Sequence, residues 1–327
     1  MDHTAKKDHI DELDALLEGQ SVGQGDNLAG RVPSFPVLLA ITDDDLAPAA
    51  TALVHALHER RGASPSVLYV IEVGPSIPEA AAVAVSLQEE LNNPRSRAKQ
   101  EAEMRSVLHI DSGAPAAWPF SIDVGIVAGS IIAQAQRADA DMVVMGLARH
   151  ATIGRAMGRD TVREVMALGG VPVLAVRPQL VTLPRRVVVA VDFSQASIRA
   201  AHLARRLVDE HGSMHLLFVE PAFLDNKSES TEGMRLIQAR GVEAAFAQLV
   251  SELKPSAGMT IATIVRRGNA MAEISRFCEE LGPDLVAVGS QRHRFLDRLL
   301  LGSVARSVAA DGRWSTLVTP PARPAGG

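Results

Sequence analysis

Short apolar runs alternate with longer amphipathic stretches along this chain, and the alternation occurs twice. In the second half, Val187–Val191 is a continuous, largely β-branched run, the pattern of a strand buried on both faces. Ser194-Gln195-Ala196-Ser197 opens a helix rich in Ala, Leu and Arg that is expected to stop near His211-Gly212. Further strands are predicted at Met214–Val219, Met259–Val265, Leu285–Val288 and Thr316–Thr319, with helices at Glu229–Leu253, Ala270–Leu281 and Val304–Ala310. The first half follows the same plan, with strands at Val37–Ile41, Ser66–Ile71, Ser121–Val127, Met142–Met145 and Val171–Val176. Strand alternating with helix implies a mainly parallel sheet with right-handed crossovers and helices on both faces.

The two halves are copies of one another. Val37-Leu38-Leu39-Ala40-Ile41 resembles Val187-Val188-Val189-Ala190-Val191 at an offset of 150. Downstream the offset settles at 143: Gly125 matches Gly268, Ile131 matches Ile274, and Asp141–Gly146 matches Asp284–Gly289. Arg149-His150 likewise matches Arg292-His293, and Val165 matches Val308. Such a period has the size of a domain, not of a solenoid unit. The expected organisation is a flexible N-terminal segment over 1–34, a first domain over 35–178, a second over 185–321 and a tail over 322–327. A short amphipathic helix around Ile10–Leu17 is the one element expected in the N-terminal segment.

Composition narrows the function classes. The 327 residues are 47% hydrophobic and 22% charged with a net charge of −5, which argues against disorder and against phosphate-backbone binding. Aromatics are only 3%, leaving few platforms for stacking bases, so no nucleic-acid partner is expected. A lone Cys278 excludes an internal disulfide and a cysteine-based zinc cluster; a buried, inert thiol is expected. Apolar runs fall short of the roughly 18 residues of a membrane span, and the start Met1–His9 lacks the apolar stretch of a secretory signal. A cytoplasmic protein without membrane contact is the expectation.

In doubly wound sheets, ligands sit beyond the carboxyl ends of the strands, where strand order reverses. In the second copy that places weight on Val191-Asp192-Phe193-Ser194 and on Gly289-x2-Arg292-x9-Gly302-Ser303-Val304. Gly289 would turn the backbone off its strand, and Gly302 would stand at a helix mouth whose free amides and dipole favour an anion. Asp192 and Ser303 read equally as helix caps, and Gly302 as a packing glycine. These two stretches resemble the universal stress protein family, whose nucleotide-binding members carry G-x2-G-x9-G-[S/T] after an acid-ending first strand. The resemblance covers about 35–321 as a tandem pair.

It implies two five-stranded sheets of order 3-2-1-4-5 and adenine-nucleotide binding, ATP with Mg²⁺ as counter-ion, in a regulatory stress response. By resemblance, Asp192 would sit near the adenine or ribose, Val219 would flank the adenine, and Gly289, Gly302, Ser303 and Val304 would line the phosphates. Arg292 stands where the family has its second glycine; arginine can bind phosphate by charge-assisted bonds but obstructs close backbone approach. The first copy departs further, with Thr42, Arg149, Arg159 and Asp160 at the matching positions, so it is expected to have lost triphosphate binding. The family pairs its modules through the last strands, so Val171–Val176 and Thr316–Thr319 are expected to join the copies, and the resemblance also allows a homodimer.

No persuasive catalytic set is present: the chain has no nucleophile elbow between a predicted strand and helix, no HExxH and no Walker loop, and no base for ATP hydrolysis can be named. His150 and His293 recur, but no acid follows both at a shared metal-ligand spacing, so a surface loop is expected there and no metal site. A nucleotide-independent interaction protein is the alternative reading, and a serine-rich ATP pyrophosphatase loop does not fit either copy.

Overall fold

The computed structural model describes residues 35–42, 47–72, 78–107, 118–147, 157–221, 231–290 and 302–321. The predicted helix at Ile10–Leu17, both Arg-His pairs (Arg149-His150 and Arg292-His293) and the 322–327 tail lie outside them.

The first module runs β1 (Phe35–Thr42), α1 (Pro48–Arg61), β2 (Ala63–Glu72), α2 (Pro78–Asn92), α3 (Pro94–Val107), β3 (Phe120–Gly125), α4 (Val127–Arg137), β4 (Met142–Gly146), α5 (Met157–Leu168) and β5 (Val173–Val176). The second runs β6 (Arg186–Ala190), α6 (Gln195–Leu207), β7 (Ser213–Glu220), α7 (Thr231–Leu253), β8 (Thr260–Arg267), α8 (Ala270–Leu281), β9 (Leu285–Gly289), α9 (Ser303–Asp311) and β10 (Ser315–Thr319). All ten strands form one sheet ordered β3-β2-β1-β4-β5-β10-β9-β6-β7-β8, so each module has the order 3-2-1-4-5. Within a module every pairing is parallel. Between modules β10 pairs antiparallel with β5, Leu317 opposite Leu174.

The registers agree with the repeat. Val37 lies opposite Met142 in the first module and Val187 opposite Leu285 in the second. The change of offset arises between the second and third strands of each module. There the first module breaks its crossover into α2 and α3 at Asn93-Pro94, and the second has one unbroken α7. Proline cannot donate an amide to a continuing helix, and the Asn93 side chain accepts the Arg95 amide at 3.0 Å, as a cap does.

Burial follows the two-residue period of the strands. Val37, Leu39 and Ile41 face a layer with α1, α6 and α7, whereas Leu38 and Ala40 face the opposite layer with α4, α5, α8 and α9. Both layers draw on both modules. At the seam Leu174 and Leu317 are at most 1% exposed; burying each is worth ~1.5–3 kcal/mol. The ion pairs Arg60–Asp209 and Arg61–Glu210, at 2.7 and 3.0 Å, bind α1 to the segment after α6. Each pair joins one largely covered side chain to one that reaches solvent, which limits its net gain, so apolar burial carries most of the contact between the modules.

Four local expectations differ from the structure. Val127 opens α4 rather than ending β3, because Gly125 (φ 154) turns the chain there. Val171 lies before β5, which starts at Val173. The strand predicted at Met259–Val265 runs to Arg267, with Val265, Arg266 and Arg267 pairing with β7. Helix α6 ends at Leu207, five residues before Gly212: Val208 is extended and fully buried, and the Asp209 amide donates to the Pro184 carbonyl at 2.8 Å. Gly212 serves a close approach instead, since a β-carbon there would stand 2.8 Å from the Arg185 carbonyl oxygen.

Candidate functional site

Strand order reverses in the second module between β6 and β9. From β6 the chain crosses to α6 on one face, and from β9 it crosses to α9 on the other. The carboxyl ends of these two neighbours therefore open a crevice between the first turns of two helices, the place where doubly wound proteins bind ligands.

Asp192 follows β6 at that mouth and is exposed. Its Oδ1 accepts the Ser194 amide at 3.0 Å and the Ser194 hydroxyl at 2.6 Å, a side-chain turn of the kind aspartate forms two residues ahead. The helix cap belongs to Ser194, whose hydroxyl oxygen accepts the Ser197 amide at 3.3 Å. Between them Phe193 has a left-handed backbone, φ 59, and packs its ring on Phe218 and Phe246. The sequence marks Phe193 and Ser194 as part of the strand-end stretch, but it does not show the ring packing of Phe193, the capping by Ser194 or the bond from the Asp192 amide to Ser197.

Gly289 ends β9, but its backbone is not left-handed, so the turn does not demand glycine. Space does: a β-carbon would lie 2.5 Å from the Ser197 nitrogen and 2.7 Å from the Ala196 carbonyl carbon. Gly289 thus lets β9 touch the first turn of α6. Gly302 is the residue that caps a helix. It is extended (φ −54, ψ 150), no side chain caps α9, and its carbonyl accepts the Arg306 amide at 2.9 Å. The amides of the first turn have no acceptor within a helix. Ser303 is the exposed first residue of α9, and Val304 is half-buried against the core layer that also holds Val219. Asp192, Gly289 and the start of α9 thus belong to the two strands and the helix that bound the crevice. Val219 lies one strand away on β7, and Arg292 is outside the described residues.

Two further polar residues mark the strand ends of the second module. Ser290 and Thr319 are buried, the Ser290 amide donates to the Thr319 carbonyl at 2.8 Å, and the Thr319 hydroxyl has no partner among the described residues. At the same register the first module has Leu147 and Val176, joined by the same backbone bond. Its α1 is capped by Ala47 without a side-chain bond, Thr42 ends β1, and Arg159 and Asp160 fall in the first turn of α5. Hydroxyls at the second module's strand ends are thus matched by aliphatic groups in the first.

Cys278 is fully buried on α8, and burial pushes its thiol up to about 12. Among the described residues no group of His, Cys, Asp and Glu could hold a metal ion, and no helix is long and apolar enough to cross a membrane.

The sequence profile of the universal stress protein family matches residues 35–177 and again 184–320. The chain therefore belongs to the universal stress protein family, as a tandem of two modules. The universal stress protein MJ0531 of Methanocaldococcus jannaschii is 28% identical over 142 residues, covering 42% of this chain and 82% of that protein. A universal stress protein from Archaeoglobus fulgidus superposes with a TM-score of 0.55 at 18% identity, over 88% of this chain and 98% of the other. A functionally unknown protein from Pseudomonas aeruginosa gives 0.54 at 16% identity, over 88% and 92%. At these identities the two structures speak for the fold alone.

Proposed function

We propose that the second module binds an adenine nucleotide, ATP with Mg²⁺ as counter-ion, and that binding serves regulation in a stress response rather than metabolism. The observation that carries this reading is the mouth of α9. It is capped by Gly302 without any side chain, and it borders the same crevice as the anchored carboxylate of Asp192. Unoccupied amides at a helix start attract phosphate oxygens through their hydrogens and the helix dipole. Ser303 and the first-turn amides at Val304 would take the phosphates, Asp192 the ribose or adenine end, and Val219 the flank of the base. Arg292 would add charge to the phosphate side. Bound Mg²⁺-nucleotide would stabilise the folded state, and so bias a conformational or assembly equilibrium by its differential affinity.

Thermal melting with Mg-ATP tests the reading. A ligand at 100 times its Kd stabilises the folded state by about 2.7 kcal/mol, so the melting temperature should rise with ATP and rise less in Asp192→Ala. No shift at millimolar ATP in the intact chain would overturn it.

The aliphatic strand ends of the first module favour one nucleotide per chain, with that module as a structural partner. They also motivate the second reading, a nucleotide-independent interaction protein. Mass spectrometry of small molecules released on denaturation separates the two: an adenine nucleotide near one per chain supports the first, and none at any preparation the second.

A further inference from the structure

Phe193 combines two features that oppose each other. Its φ of 59 is a left-handed backbone that a bulky aromatic residue adopts only under constraint. Its ring supplies the constraint. It lies 5.4 Å from the Phe218 ring at 37°, and 5.2 Å from the Phe246 ring in an edge-on arrangement at 77°. Phe218 is on β7 and Phe246, only 5% exposed, is on α7. Two different elements thus grip one side chain at the turn between β6 and α6. On either side of that residue the chain is tied by polar bonds. The Asp192 amide donates to the Ser197 hydroxyl at 3.3 Å, and Asp192 Oδ1 holds both donors of Ser194.

We infer that Phe193 is the positioning residue of the crevice: its ring, wedged between β7 and α7, forces the left-handed turn that fixes the direction of the Asp192 carboxylate. The ligand group concerned is the hydroxyl-bearing or heterocyclic end of a nucleotide rather than its phosphates, which lie with α9. This ligand assignment rests on the nucleotide reading; the positioning itself does not.

The contrast between Phe193→Ala and Phe193→Gly isolates backbone from packing. Both remove the ring. Glycine accepts a left-handed φ without strain, whereas alanine resists it. In the ligand-free protein, hydrogen exchange at the Ser194 amide, which donates to Asp192, should accelerate more in Phe193→Ala than in Phe193→Gly. The difference should be about tenfold, the size of the penalty for a left-handed non-glycine residue. A packing role alone predicts equal exchange in the two variants, or greater loss in glycine, and that result would overturn the inference with no ligand involved.

Binding gives the second arm, with inorganic tripolyphosphate as the probe for the phosphate end. ATP affinity should fall in the order wild type, Phe193→Gly, Phe193→Ala, while tripolyphosphate affinity stays level. Combined with Asp192→Ala, Phe193→Ala should cause no additional loss. A wild type that ignores ATP while the exchange order holds would remove the nucleotide reading and leave the positioning role. ATP bound equally by all three proteins would remove the positioning role and leave the nucleotide reading.

Discussion

Gly289 and Ser197 touch backbone to backbone: a β-carbon on Gly289 would stand 2.5 Å from the Ser197 nitrogen. That nitrogen donates to Ser194, and the Ser197 hydroxyl accepts the Asp192 amide, so the contact supports the whole turn at the crevice. Gly289→Ala must push α6 away from β9, because the nearest atoms are backbone rather than a flexible side chain. Overpacking of this kind costs ~1–3 kcal/mol. Urea unfolding should show a lower midpoint with an unchanged slope, and the Ser194 amide should lose exchange protection. A midpoint equal to wild type would show that the contact is not tight.

Gly241 makes the opposite prediction. It lies within α7, and a β-carbon there would meet nothing within 4 Å. Alanine is favoured over glycine in a helix interior by about 1 kcal/mol. Gly241→Ala should therefore raise the unfolding midpoint. A loss of stability would mean that another group occupies that space in solution.

Asp209 carries the pH dependence of the module boundary. Its carboxyl is held below the usual range, chiefly by the His211 amide at 3.0 Å and then by Arg60 at 2.7 Å, against a burial effect of opposite sign. A carboxyl with a lowered folded pKa contributes stability above its unfolded pKa of about 3.9 and loses it as pH falls further. Asp209→Asn should cost ~1.5–3 kcal/mol at pH 7, the range for hydrogen bonds to a charged group. The gap to wild type should narrow at pH 3. A gap independent of pH would assign the loss to packing.

Much of the fold was legible because strands buried on both faces must be continuous apolar runs, and because one pattern occurs twice. Val187–Ala190 and Leu285–Val288 needed no neighbour to be recognised. Elements fixed by tertiary contact were less legible. Nothing local ends α6 at Leu207; burial of Val208 and the Asp209 bond to Pro184 do. Gly289 was legible as a glycine at a strand end but not as a steric requirement, since the atoms it makes room for come from Ala196 and Ser197. The grip on Phe193 involves Phe218 and Phe246, 25 and 53 positions along the chain, and no spacing rule connects them. The polar strand ends were within reach: the 143-residue offset sets Ser290 against Leu147 and Thr319 against Val176.

Cys278 makes an alkaline prediction. Burial raises its thiol to about 12, well above the ordinary value of about 8.5 that the unfolded chain would show. Below that ordinary value both states hold the proton and stability is flat. As pH rises past it, the unfolded chain releases a proton that the native protein retains, so stability falls. Each unit of difference is worth about 1.4 kcal/mol, so between pH 8 and pH 10 the expected loss is ~1–2 kcal/mol. Cys278→Ala starts less stable because it leaves a small cavity, but it should lack this slope, and the two curves should converge towards pH 10. In the native protein the thiol should resist an aromatic disulfide reagent at pH 8 and react at once in denaturant. Rapid native labelling would mean that α8 opens often enough to expose the residue, and the alkaline slope would then be shallower than predicted.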